Sequence, residues 1–185
     1  MPTILYTIGH SKHPIEKFLG LLKSHGIETL VDVRTHPMSR FNPQFNRKRL
    51  EEALAEEQIK YVFLGNELGG RPKGEQFYDE NGFVLHNRIA QSKNFEEGLK
   101  QLAVLMEEKN SAAETKKVAV MCSEEDPETC HRKSLIGRAL AKTPELTLRH
   151  IRGDGSAKDE IAMLLGGFKL DDASWKSAKS TSKSK

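Results

Sequence analysis

The chain is poor in cysteine: two among 185 residues. That excludes a disulfide scaffold and suits a reducing, cytoplasmic setting. No apolar run approaches the roughly 18 residues that a membrane-spanning helix needs, so no membrane partner is expected. The first residues, Met-Pro-Thr-Ile-Leu-Tyr, lack the charged and apolar regions of a signal peptide. Charge of one sign is also scarce. Lys and Arg number 29 against 26 Asp and Glu, a net charge of +3. The last fifteen residues hold four of the Lys and two of the Asp, so the rest is nearly neutral. A binder with positive charge spread over its whole surface is excluded. There is no internal repeat of 20–50 residues. The sequence also lacks a GxGxxG fingerprint, a Gly-Lys-Ser/Thr phosphate loop and a Gly-x-Ser-x-Gly elbow. ATP or NAD bound in the usual way is therefore unsupported, and no cofactor is expected.

What is present is an alternation. Strands are predicted at Thr3–Thr7, Thr29–Val33, Lys60–Leu64, Lys117–Met121 and Thr147–Ile151. Helices are predicted between them. The first follows Pro14 and stops at Gly26. Another is capped by Asn46 and runs to about Glu57. A third spans about Asn94 to Glu108, after a Gly/Pro-rich loop over 65–82. Asp126-Pro127 should open a fourth, to about Ala141. Ser156 with Asp159 resembles a capping box before Ile161–Leu165. The pattern predicts a single three-layer α/β domain over 1–170: a mostly parallel sheet of about five strands with helices on both faces. Residues 171–185 form a Lys/Ser-rich tail expected to be disordered.

Ligands of such sheets bind beyond the carboxyl ends of the strands. The residues there are polar and chemical. Strand one leads to His10 and Ser11, strand two to Asp32, Arg34 and His36, and strand three to Arg71 in Leu68-Gly69-Gly70-Arg71. Strand four ends at Cys122, followed by Glu124. Cys122 is either a thiol activated by nearby backbone N–H groups or a small apolar residue ending a buried strand. Four carboxylates at 124–128 disfavour an activated thiolate. Cys130, His131 and Arg132 fall in the expected first helical turn, where three consecutive side chains cannot share one direction. At most two of them join one site. The Gly69-Gly70 pair permits either close backbone approach to a ligand or a turn. Residues 33–50 carry Arg34, Arg40, Arg47, Lys48 and Arg49 without an acid, with Phe41 and Phe45 interleaved. That combination suits a phosphate backbone with stacked bases, or a solvated loop anchored by two aromatics. Metal ligands are present in kind, but the Cys pairs two to four apart of common zinc modules are not, and no metal is expected.

The motifs Ile8-Gly9-His10-Ser11, Val31-Asp32-Val33-Arg34, Glu67-Leu68-Gly69-Gly70-Arg71, Cys122 with Glu124, Cys130-His131-Arg132 and His150-Ile151 resemble those of the domain of unknown function 488 family, in its order. The resemblance implies motif positions and no reaction. A second resemblance, to rhodaneses, rests on Asp32-Val33-Arg34 and a Cys at a strand end. The leading expectation is an enzyme acting on a phosphate-bearing ligand, a nucleotide or nucleic acid. In it Cys122 is nucleophile or redox centre, Glu124 or His131 acts as acid/base, His10 joins the catalytic set, Arg34 clamps the anion, and Ser11, Asp32, Arg71, Cys130 and Arg132 also contact substrate. The alternatives are a cysteine sulfur carrier and a non-catalytic nucleic-acid-binding module.

Overall fold

Alternating side chains decide which face of the sheet each helix covers. The computed structural model describes residues 3–162 and 175–177. Its strands are β1 (Thr3–Gly9), β2 (Thr29–Asp32), β3 (Lys60–Phe63), β4 (Val118–Cys122), β5 (Leu146–Ile151) and β6 (Ala157–Ile161). They form one sheet in the order β3-β2-β4-β1-β5-β6. β1 to β5 are parallel, and β6 is antiparallel to β5. β2 and β4 lie in the interior and are buried along their whole length. This is why they read as continuous apolar runs.

On one face Tyr6, Ile8, Leu30, Ala119 and Met121 meet Phe18, Leu21 and Leu22 of α1 (Ile15–Ser24). Leu50 and Leu54 of α2 (Arg47–Glu56) join them, with Phe45. On the other face Leu5, Val31, Val118, Val120 and Leu148 meet Phe95, Leu102 and Leu105 of α5 (Lys93–Glu107). Leu135 and Ile136 pack there too. Two short helices, α3 (Gly65–Leu68) and α4 (His86–Ala90), precede α5. The expected three layers are therefore observed, with six strands rather than five among the described residues.

The sixth strand replaces the start of the helix expected at Ile161–Leu165; residues 163–165 lie outside the described residues. The side chain of Asp154 accepts from Ser156 N–H and O–H, and Gly155 has φ +89°. That turn sends the chain back along β5, where Arg149 holds Asp159 through two bonds of 2.6 Å. Ser156 and Asp159 thus serve a hairpin and not a capping box. The helix expected from Asp126 also begins later. Asp126 caps only a 3-10 turn, Pro127–Thr129. Cys130 is extended, and the helical run starts at His131, with π-type turns over Arg132–Gly137. Asn46 does precede α2, but its side chain accepts from Ser39 N–H instead of capping the helix. Within the expected tail only Trp175, Lys176 and Ser177 are described. Trp175 is buried, and its indole N–H donates to Ser134 O at 2.7 Å.

Among the described residues no helix is long and apolar enough to cross a membrane.

Candidate functional site

The connection from β2 to β3 leaves over the face of α2. The helical run after β4 lies on the opposite face and leads the other way, to β5. The rim opens where neighbouring strands diverge in this manner. A cavity of about 380 Å³ lies there, lined by Arg34, Thr35 and His36 after β2 and by Cys122, Ser123 and Glu124 at the end of β4. Gly70, Arg71 and His131 complete much of its wall.

Three reactive groups meet at its floor. The Cys122 thiol donates to Glu124 Oε2 at 2.8 Å, and Cys122 Sγ lies 3.5 Å from His131 Nδ1. His131 Nε2 is 3.0 Å from Val33 O. A carbonyl only accepts, so Nε2 carries a proton, and Nδ1 faces the sulfur, whose own proton points to Glu124. Cys130 Sγ sits 4.0 Å from the same nitrogen. Burial opposes the charged form of His131, yet Cys130, the Glu124 carboxylate and the Val33 carbonyl together raise its pKa above the ordinary value. For Glu124 desolvation opposes the charge, and the Cys122 thiol and His131 outweigh it, leaving the carboxyl below its usual range. Burial and neighbouring Cys122 push the Cys130 thiol well up. The cluster can pass a proton between sulfur, carboxylate and imidazole.

Other expected site residues form a buried network that reaches the cavity only at Arg34. Asp32 is fully buried and accepts from Arg34 N, Nε and Nη2 and from the Tyr61 hydroxyl. Arg34 Nη2 also donates to Phe45 O, and Nη1 donates to His10 Nε2 at 3.2 Å. His10 Nδ1–H donates to Ser11 O, and its ring stacks on Phe45 at 4.3 Å. Burial and the Arg34 charge lower the His10 pKa to about 4. His10 and Asp32 do not line the cavity, and the Arg34 fork is largely engaged within the protein. Ser11, at φ +48°, donates its N–H to Ser123 O and ties the loop after β4 to the end of β1.

Arg132 is buried as well. Its guanidinium donates through Nη1 to Glu124 O and through Nη2 to Glu125 O. Of the consecutive triplet, Cys130 and His131 face the cluster while Arg132 holds the loop that presents Glu124. The four carboxylates do not converge on the thiol. Glu125 pairs with Arg152 at 2.7 Å, Asp126 caps its turn, and Glu128 pairs with Lys133 at 2.5 Å. Of the four, Glu124 alone reaches the sulfur. The glycine pair makes close backbone contacts: a Cβ on Gly70 would stand 2.7 Å from His131 Cγ. A Cβ on Gly9 would overlap the Glu124 carbonyl.

Arg71 is exposed at the cavity wall, its backbone N–H held by Thr35 Oγ1 at 3.0 Å. In the basic segment Phe41 is 92% exposed, whereas Phe45 is buried. Sequence reasoning missed His86. It lies far from any strand end, at the start of α4, yet lines the cavity. It is buried, and its Nδ1 has no hydrogen-bond partner among the described residues. Burial, with the charges of His131 and Arg138, lowers its pKa to about 3.

A model of the domain of unknown function DUF488 matches residues 14–139, and the chain belongs to that family. The motifs at Ile8–Ser11 and His150-Ile151 fall outside the matched range. No curated protein and no solved structure matches the chain.

Proposed function

We propose that this member of the DUF488 family is an enzyme acting on a phosphate-bearing ligand, a nucleotide or nucleic acid, in the cleft between β2 and β4. The reading is carried by one observation: Glu124 Oε2 and His131 Nδ1 each lie within 3.5 Å of Cys122 Sγ in the cavity where the rim opens. These three form the reacting centre, with Glu124 and His131 moving the proton. Arg71 is the anion contact, because the residue is exposed at the cavity wall and a planar guanidinium fork suits phosphate. Phe41, exposed in the basic segment that continues past His36, offers a stacking surface for a base. Cys130 backs the cluster. His10, Ser11, Asp32, Arg34 and Arg132 are positioning residues.

Titration calorimetry with a panel of mononucleotides and short oligonucleotides tests this. Binding that weakens about tenfold in Arg71→Ala, the ~1.4 kcal/mol expected of one charge-assisted contact, supports the reading. Equal affinity in wild type and variant, or no binding to any member, overturns it.

A second reading, the cysteine sulfur carrier, draws on His131, whose Nδ1 lies 3.5 Å from Cys122 Sγ and whose charged form would favour a thiolate. The Glu124 carboxylate at 2.8 Å faces any persulfide anion with like charge, which disfavours it. Iodoacetamide modification of Cys122 against pH separates the two. A rate already maximal near neutral pH supports the carrier, and one that rises only through the ordinary thiol range, about 8.5, opposes it.

A further inference from the structure

We infer that Cys122, Cys130 and His131 form a zinc site whose open coordination position faces the cavity. This rests on the proposed enzyme in taking the cleft as the place of reaction, and it reassigns the centre: Cys122 and His131 become ligands of a Lewis acid, and Glu124 alone remains the base.

Three soft or borderline donors converge. Cys122 Sγ, Cys130 Sγ and one His131 nitrogen all lie within 4.8 Å of one another. The two sulfur–nitrogen separations are 3.5 and 4.0 Å. A tetrahedral zinc with bonds of about 2.3 Å to sulfur and 2.0–2.1 Å to nitrogen requires such an edge to be about 3.6 Å. The donor set is therefore close to closed around an ion before any ion enters. Thiolate and imidazole select zinc over magnesium or calcium.

The imidazole is prepared for the task. Its Nε2–H donates to Val33 O at 3.0 Å, which fixes the ring with Nδ1 directed at the sulfurs. A ligating histidine is held in this way by a backbone carbonyl in many metal sites. Gly70 keeps the ring in place from the other side, 2.7 Å from its would-be Cβ. Both thiols are buried. A pair of buried thiolates has to be balanced by a cation, and a divalent ion balances two.

The spacing explains why no common zinc module is visible. Cys122 and Cys130 are eight residues apart. Cys130 and His131 are consecutive and would diverge on a helix. Cys130 is instead extended, at φ −121° and ψ 141°, while His131 begins the helical run. The change of backbone conformation between them turns both side chains to one point.

Cys122 and His131 line the cavity and Cys130 does not, so the fourth position opens to the cavity. Coordination breaks two S–H bonds and, from the charged ring, the Nδ1–H bond; it forms two Zn–S bonds and one Zn–N bond and releases those protons to solvent. No electron changes hands. Glu124 Oε2, which accepts the Cys122 proton at 2.8 Å in the metal-free protein, then stands free beside the open position. It becomes the base for whatever water or substrate oxygen binds there.

The test is a Co²⁺ titration of the reduced, chelator-stripped full chain, followed by Zn²⁺ displacement. The proposal predicts one Co²⁺ per chain, with thiolate charge-transfer and intense tetrahedral d–d absorption. Cys130→Ser and His131→Gln should each bind about 100-fold more weakly or worse. A second measurement covers variants that do not fold: one equivalent of Zn²⁺ should protect both cysteines of the wild type from iodoacetamide, and chelator should restore their reaction. A spectrum without sulfur charge transfer, full alkylation in excess Zn²⁺, or formation of a Cys122–Cys130 disulfide in place of metal uptake overturns the site. Loss of the metal result with Arg71-dependent nucleotide binding intact overturns zinc alone, and the reverse outcome overturns the phosphate reading alone.

Discussion

Arg34 and Arg71 both lie past strands of the same rim, and the protein uses them in opposite ways. Arg34 is 4% exposed, and its donors are spread over Asp32, Phe45 and His10. Arg71 is exposed, and Thr35 Oγ1 holds its backbone N–H. The same contrast runs through the surrounding groups. Behind β2 each charge has a buried partner, and the histidine is held neutral. At the cavity, a thiol, an imidazole and a carboxylate line the wall. A strand-end position therefore does not decide whether a residue holds the rim or works on a ligand. Its buried partners decide that.

The contrast can be broken by substitution. The largest effect is expected at Arg34→Ala. It leaves Asp32 charged, fully buried and without its ion-pair partner. Removing one member of a buried pair costs about 3–5 kcal/mol, and urea unfolding should show a loss of that size. A loss below about 1 kcal/mol would mean that the buried network does not support the rim.

Next comes pH. His10 has a folded pKa of about 4 against an ordinary 6.5. The unfolded chain therefore takes up the proton first as pH falls. The contribution of His10 to stability is full above about 6.5 and is lost between there and about 4, an effect of up to about 3 kcal/mol. Unfolding free energies at pH 7 and pH 4.5 should differ in that direction. The difference should shrink in a His10→Phe variant, which keeps the stack on Phe45. An equal pH dependence in both proteins contradicts this account of His10.

A smaller loss is expected from Gly70→Ala. The added Cβ would press on the His131 ring, and crowding of this kind costs about 1–3 kcal/mol. The displaced ring should also show itself as changed iodoacetamide reactivity of Cys122. The smallest effect belongs to Arg71→Ala, which should shift stability by less than about 0.5 kcal/mol, since an exposed side chain without buried partners contributes little. A stability loss of about 2 kcal/mol or more there, on the order seen for a buried polar group, would place Arg71 with Arg34 and erase the distinction.

Much of the rim was legible because parallel strands bring their carboxyl ends together. His10, Arg34, Cys122 and Glu124 stand at or just past the ends of β1, β2 and β4, where the alternation of strands and helices places a site. Their division into two sets was not legible. It depends on Asp32 meeting Arg34 and Tyr61, and on Arg132 reaching the Glu124 and Glu125 carbonyls. Such pairings arise only when the sheet closes. His86 escaped notice because it reaches the cavity from α4 and not from a strand end. The convergence of Cys130 and His131 escaped because Asp126-Pro127 reads as the start of a helix, whereas only a 3-10 turn forms there. β6 escaped because Ser156 and Asp159 carry the letters of a capping box. Their partners, Asp154 and Arg149, lie in the hairpin.

The central claim is that the cluster of Cys122, Glu124 and His131 reacts while the network behind it only supports. Turnover of mononucleotides and oligonucleotides by wild type and by Glu124→Gln tests this most directly, with urea unfolding of both proteins measured alongside. The account predicts turnover by the wild type that falls about 100-fold or more in the variant, the size of an acid/base contribution, at unchanged stability. Turnover undiminished in Glu124→Gln, or no turnover by the wild type on any of these ligands, would contradict it.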